Sequence, residues 1–216
     1  MVKINKTQPA PGAITCDRDY QQGIVFETIC KDFHCKCYLC EDKPTSINIE
    51  HIVSHKGDVK LKHEWDNLFF ACSHCNNIKG IDYDDIIDCT KKDPEEIINF
   101  IFKPYPRKEP EFKLVNTDAS NQEDIQTIIL LEKIFCKPPT SMKSKESIEL
   151  CNRLYEEFKK LIKYIEEYFE AVEIDENVER CYTYVINHLN RKTPFAAFKR
   201  AFARQEYFDS FEEALE

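Results

Sequence analysis

Between Cys151 and Val172 the apolar positions Cys151, Leu154, Tyr155, Phe158, Leu161, Ile162, Ile165, Tyr168, Phe169 and Val172 recur at steps of three and four. That spacing puts them on one stripe of a long helix, and such a stripe is core in most proteins. Ile125, Ile128 and Ile129 predict another helix, Val178 to Leu189 a third and Phe195 to Phe208 a fourth. Upstream, residues 17–33 carry a rough helical stripe of Ile24, Val25, Ile29 and Phe33, weakened by Gly23. Ile47 to Val53 and Leu68 to Ala71 read as two short strands, with a helix starting at Ser73 or His74. A further helix begins near Pro94. The run Lys103-Pro104-Tyr105-Pro106-Arg107-Lys108-Glu109-Pro110 then interrupts any regular element. It divides the expected organisation into a region 1–105 and a helical region 106–216.

A chain of 216 residues that is 42% hydrophobic and 12% aromatic has enough apolar surface for a buried core. No apolar run of signal-peptide or membrane-spanning length occurs, so the expected compartment is the cytosol and no membrane contact is expected. In that compartment the eleven cysteines are expected to be reduced thiols around one zinc site. Cys16, Cys30, Cys89, Cys136, Cys151 and Cys181 read as small buried apolar side chains. Cys35 could replace Cys37 as a ligand, although only Cys37 forms a C-x-x-C unit with Cys40. The formal net charge of −9 argues against nucleic-acid binding over the whole surface. Local cations exist at Lys103, Arg107 and Lys108, and at Arg191, Lys192, Lys199, Arg200 and Arg204. For the second cluster a solvated helix face and a phosphate site are both open.

Chemistry concentrates in residues 37–80. Cys37, Cys40, Cys72 and Cys75 form two C-x-x-C pairs, and four thiolates are the closed tetrahedral set of a structural zinc ion. With little other core expected between the pairs, loss of Cys40 or Cys75 should unfold this region. Glu50 and His51 adjoin, and neighbours on a regular strand point to opposite faces, so they share a site only at a strand end. The Ser54-His55-Lys56-Gly57-Asp58 stretch supplies that end. A neutral imidazole can accept a proton from water, and a carboxylate is a hard ligand suited to magnesium. Asn76 follows the last cysteine directly and offers an amide oxygen to a divalent ion; Lys79, on the same helical face, offers a cation to a phosphate. Asn67 lies just before the second strand. Of the other histidines, His74 is expected to be exposed, His55 and His63 to be loop residues, and His34 and His188 to be structural or on the surface.

The order C-x-x-C, Glu-His-Ile, Asn-Leu, C-x-x-C-Asn, Lys-Gly resembles the HNH endonucleases. The resemblance implies an α+β fold: a ββα-metal (His-Me finger) core stapled by a four-cysteine zinc site, an N-terminal helix and a C-terminal all-helical region. It implies His51 as general base, Glu50 and Asn76 as ligands of a catalytic Mg2+ or Mn2+, and Asn67 as the residue that orients the base. Asn76 departs from the histidine of many members. Lys79, Lys199 and Arg200 would meet nucleic acid, and the products would carry 5′ phosphate and 3′ hydroxyl. Scattered motifs, Trp65-Asp66-Asn67-Leu68, Asp93-Pro94 and Pro194-Phe195-x-x-Phe198-Lys199-Arg200 among them, resemble the small HNH effectors of bacterial Septu and retron-linked anti-phage systems. That likeness implies an ABC/SMC-like ATPase partner. Two readings compete with a DNA-cleaving enzyme: a zinc ribbon that bridges a partner protein and nucleic acid without catalysis, and a RING-like module. The second needs eight ligands, and the remaining histidines and cysteines are not spaced for it.

Overall fold

Leu68–Cys72 (β2) reads Leu-Phe-Phe-Ala-Cys and is buried from end to end, which requires cover on both faces. In the computed structural model, which describes residues 1–117 and 121–215, part of that cover comes from the segment before the first cysteine pair. Phe33 and Tyr38 set their rings 5.3 Å and 5.0 Å from that of Phe69, and Phe26 lies 6.4 Å from Phe70. Ile47–His51 (β1) pairs with β2 antiparallel, His51 opposite Leu68 and Ile47 opposite Cys72. Ser73–Lys79 (α4) follows β2 without a loop and stops at Gly80, whose φ of +51° suits glycine. The connection from β1 to β2 carries one helical turn, Val59–Lys62 (α3), capped by Asp58, and a 3-10 turn, Trp65–Asn67.

The single helix expected over 17–33 is two, Asp17–Gln21 (α1) and Gly23–Asp32 (α2). Gln22 is extended and Gly23 has φ +67°, so the chain turns sharply between them. Val25, Ile29 and Phe33 are buried while Ile24 faces solvent. The expectation of reduced thiols fails at one pair: Cys30 and Cys35 are joined by a disulfide. The cause is local. Past α2 the chain folds back through His34 and Cys35, both at positive φ, and the Cys35 N–H meets the Cys30 carbonyl.

Pro94–Ile97 (α5) is one turn long and runs straight into a strand, Ile98–Ile101 (β3). β3 pairs antiparallel with Glu111–Leu114 (β4). The proline-rich run therefore lies within the connection between two paired strands, and the region after residue 106 is not wholly helical. Its helices are Gln122–Phe135 (α6), Ser141–Ile174 (α7), Val178–Leu189 (α8), Ala196–Glu206 (α9) and Phe208–Leu215 (α10). In α6 the buried face is Leu130, Leu131 and Ile134, whereas Ile125 and Ile129 are exposed. None of the described helices is long and apolar enough to cross a membrane.

One hydrophobic cluster extends from Met1 through both strand pairs to Phe198, so residues on either side of position 105 share it. A smaller cluster, including Leu161, Val185, Ala203 and Phe211, lies among α7 to α10. Phe198 is a hub of the larger one, with Phe100, Phe112 and Phe135 at ring distances of 5.4, 5.6 and 5.4 Å. Polar ties add to this. The Glu41 carboxylate accepts from the Ala197 N–H at 2.8 Å, and Lys36 Nζ donates to the Arg191 and Thr193 carbonyls at 2.6 and 2.9 Å. The first binds the start of α9, and the second the turn before it, to the segment of the first cysteine pair.

Phe198→Ala is expected to lower unfolding free energy by about 3–5 kcal/mol, the usual cost of emptying a packed aromatic site. A urea titration should show a lower midpoint with an unchanged slope.

Candidate active site and metal centre

Cys37 and Cys40 follow the turn after α2; Cys72 ends β2 and Cys75 lies in the first turn of α4. The fold brings their four Sγ atoms within 4.8 Å of one another, all buried. The Cys40 and Cys72 sulfurs are 3.9 Å apart, close to the roughly 3.8 Å edge of a tetrahedron with Zn–S bonds of about 2.3 Å. The donor set therefore fits zinc. Burial opposes ionisation of Cys37, yet hydrogen bonds from Cys40, Cys72 and Cys75 hold its thiol well below the ordinary range. Burial pushes Cys40 and Cys75 well above it. A divalent ion bound by the four sulfurs would favour the thiolate form.

Glu50 and His51 are the last two residues of β1. Lys79, one turn beyond Asn76 on α4, is fully buried and places Nζ 2.9 Å from Glu50 Oε1 and 2.9 Å from the His51 carbonyl. Burial raises the Glu50 carboxyl above its ordinary range, and Lys79 restrains that rise. The His51 Nε2 atom lies 2.9 Å from the Lys62 carbonyl. A carbonyl can only accept, so Nε2 carries the proton and Nδ1 holds the lone pair. Burial, with smaller contributions from His55, Lys62 and Lys79, sets the His51 pKa below its ordinary value against the effect of that hydrogen bond. The imidazole is neutral at neutral pH.

Asn67 does not reach His51 through a hydrogen bond. Its amide clamps the connection that does: Oδ1 accepts from the Val53 N–H at 2.9 Å, and Nδ2 donates to the Val53 and Leu61 carbonyls at 2.9 and 3.0 Å. Leu61 directly precedes Lys62, whose carbonyl accepts from the His51 ring. Asn76 is half-buried on α4. Its side-chain amide has no hydrogen-bond partner among the described residues, which leaves its oxygen available as a ligand.

The three expected phosphate contacts are placed otherwise. Lys79 is enclosed with Glu50. Lys199 is fully buried, with Nζ 3.0 Å from Thr193 Oγ1 and 3.6 Å from Glu157. Arg200 is 3% exposed, pairs with Glu95 at 2.8 Å and donates to the Leu215 carbonyl at 2.9 Å. None of them faces an external phosphate. His74 is also not exposed: Nδ1 meets Glu146 at 2.7 Å and Nε2 the Ile134 carbonyl at 3.1 Å. His63 lies 3.3 Å from Asp17, and His188 stacks near Tyr164 at 4.5 Å. Of the two neighbours of the His51 ring, His55 was expected only as a loop residue and Tyr20 had no sequence signal. The His55 ring centroid is 5.0 Å from that of His51, and Tyr20 lies edge-on at 5.8 Å.

Residues 35–81 match the family model for HNH endonuclease. That span holds both cysteine pairs, the acid–imidazole pair, Asn67, Asn76 and Lys79. Searches of curated proteins and of solved structures gave no match.

The purified chain is expected to contain one zinc ion by elemental analysis. Cys75→Ser should lose it and melt at a lower temperature, while Cys16→Ser, altered at an exposed thiol, should keep both metal and Tm. The buried Leu68–Ala71 segment provides core that the sequence reading did not foresee, so the expected effect is a lowered Tm with residual structure rather than full unfolding.

Proposed function

We propose that the chain is a metal-dependent endonuclease of the HNH type that hydrolyses DNA phosphodiester bonds. The observation that carries this reading is the hydrogen bond between His51 Nε2 and the Lys62 carbonyl at 2.9 Å. It leaves Nδ1 unprotonated on a half-buried neutral imidazole, the state a general base needs. His51 Nδ1 takes a proton from the attacking water as the water oxygen bonds to phosphorus and the 3′ oxygen leaves. Lys79 holds the Glu50 carboxylate against β1, and Asn67 keeps the 53–61 segment in place, so the base and the acid are fixed before substrate arrives. Glu50 and Asn76 would hold a divalent ion, magnesium or manganese, which when bound supplies Lewis-acid stabilisation of charge on the phosphate and the leaving oxygen. The elements β1, β2 and α4 make up the ββα unit on this reading.

The motifs shared with Septu and retron-linked effectors support a further step: the nuclease acts in bacterial anti-phage defence beside an ABC/SMC-like ATPase. An acidic chain would gain DNA-binding charge from such a partner.

His51→Ala, folded by circular dichroism, is expected to cut plasmid about 10²- to 10⁴-fold more slowly in magnesium, the usual loss for a general base. Equal nicking by variant and wild type would refute the assignment. The pH profile gives a second check. The active form is neutral and its pKa is lowered, so kcat/KM should stay on its plateau below the ordinary histidine value and fall only at more acidic pH. A midpoint at or above about 6.5 would contradict that environment.

A further inference from the structure

The acid–imidazole pair sits on a chain of net charge −9, so a polyanionic substrate needs cations close to it. Of the cations near α9, only Lys192 is exposed without a partner for its ammonium among the described residues, and it lies beside His34 rather than His51. Lys199 and Arg200 are buried, Arg204 pairs with Glu95 at 3.0 Å and Arg191 with Asp93 at 2.7 Å. The β1–β2 connection is different. Residues 55–63 hold Lys56, Lys60 and Lys62 against one acid, Asp58. Asp58 is occupied as the cap of α3, accepting from the Lys60 and Leu61 N–H groups at 2.8 and 3.2 Å. Lys62 is held by Asp17 at 2.7 Å. Lys56 is 62% exposed and meets Asp84 at 2.8 Å, a solvated pair that a phosphate can displace readily. Lys60 is exposed, and its ammonium has no partner among the described residues.

This segment is built onto the base. The His55 ring lies 5.0 Å from that of His51, with Nδ1 accepting from the Gly57 N–H at 3.2 Å. The Ser54 N–H is tied to Asp84 at 2.7 Å, and the Lys62 carbonyl orients His51. The two available lysines thus lie on the same stretch that contacts and orients the imidazole, and its backbone is pinned at both ends.

We propose that this stretch is the nucleic-acid contact surface, with Lys56 and Lys60 each meeting a duplex-DNA phosphate next to the one presented to His51. The proposal rests on the nuclease reading for its substrate.

The test is a salt series of duplex binding, by fluorescence anisotropy, with the full chain carrying His51→Ala so that the DNA stays intact. The same chain with Lys56→Gln and Lys60→Gln is compared. Each phosphate contact contributes about 0.9 to the slope of log K against log salt, so the slope should become shallower by about 1.8, with affinity at low salt at least about tenfold weaker. Lys113→Gln, at an exposed lysine on β4, should change neither. An unchanged slope in the double variant, an equal loss in Lys113→Gln, or no binding by any of the chains overturns the proposal. Plasmid cleavage by the unaltered chain separates the two claims. Cleavage with an unchanged slope defeats the surface and leaves the enzyme; a shallower slope without cleavage defeats the enzyme and leaves the surface.

Discussion

Four sulfurs gathered within 4.8 Å of one another are the constraint on which the site depends. They belong to segments that are distant in sequence, one following α2 and the other spanning the end of β2 and the first turn of α4. A cation bound there cross-links the two. Cys72 is both the last residue of β2 and the N-cap of α4, its sulfur accepting from the Cys75 N–H, so the helix begins at a fixed point and angle. Everything that α4 contributes inherits that fixity. Asn76 follows the last sulfur directly, and Lys79 stands one turn further on, where its ammonium is enclosed between Glu50 and the His51 carbonyl. The four-sulfur cluster, Asn76 and Lys79 are thus linked by one short helix.

Lys79 also shows how this acidic chain uses its cations. Four basic side chains, Lys36, Lys79, Lys199 and Arg200, are among its buried residues, each with carboxylate or carbonyl partners. A buried charge that loses its partner typically destabilises by about 3–5 kcal/mol, so these residues specify which elements meet. Lys36 holds the turn before α9, and Arg200 and Arg204 hold the end of α10 through the Leu215 carbonyl while sharing Glu95 of α5. Charge enclosed inside the fold cannot attract a substrate. Lys56 and Lys60, which remain exposed, lie on the β1–β2 connection.

What the sequence made legible follows the range of each signal. The cysteine pairs, β1, β2, the start of α4 and the bounds of α8 could be read because their cues lie within a few residues. Lys199 and Arg200 could not. Nothing beside them in the chain announces that Glu157 and Glu95 will enclose them, since those partners lie far away along it. The same blindness hid β3 and β4: a proline-rich stretch looks like a break between elements, yet here it connects two strands that pair. Ile125 and Ile129 suggested the buried face of α6 by spacing alone, but packing against α4, β4 and α7 buries Leu130, Leu131 and Ile134 instead. The Cys30–Cys35 bridge depends on two positive-φ residues, which residue spacing does not encode.

The choice of a backbone carbonyl to hold the imidazole has its own consequence. A carboxylate in that position would stabilise the imidazolium strongly and raise its pKa, producing a better proton acceptor that is more often already protonated. A peptide carbonyl carries no net charge, so burial of the ring prevails and His51 remains neutral with Nδ1 free. The weakness of this arrangement is that orientation depends on where a loop carbonyl lies, and loops move. Asn67 answers that. Its three hydrogen bonds to Val53 and Leu61 brace the connection from within, so a buried amide at the foot of β2 fixes the loop that orients the His51 ring without touching that ring.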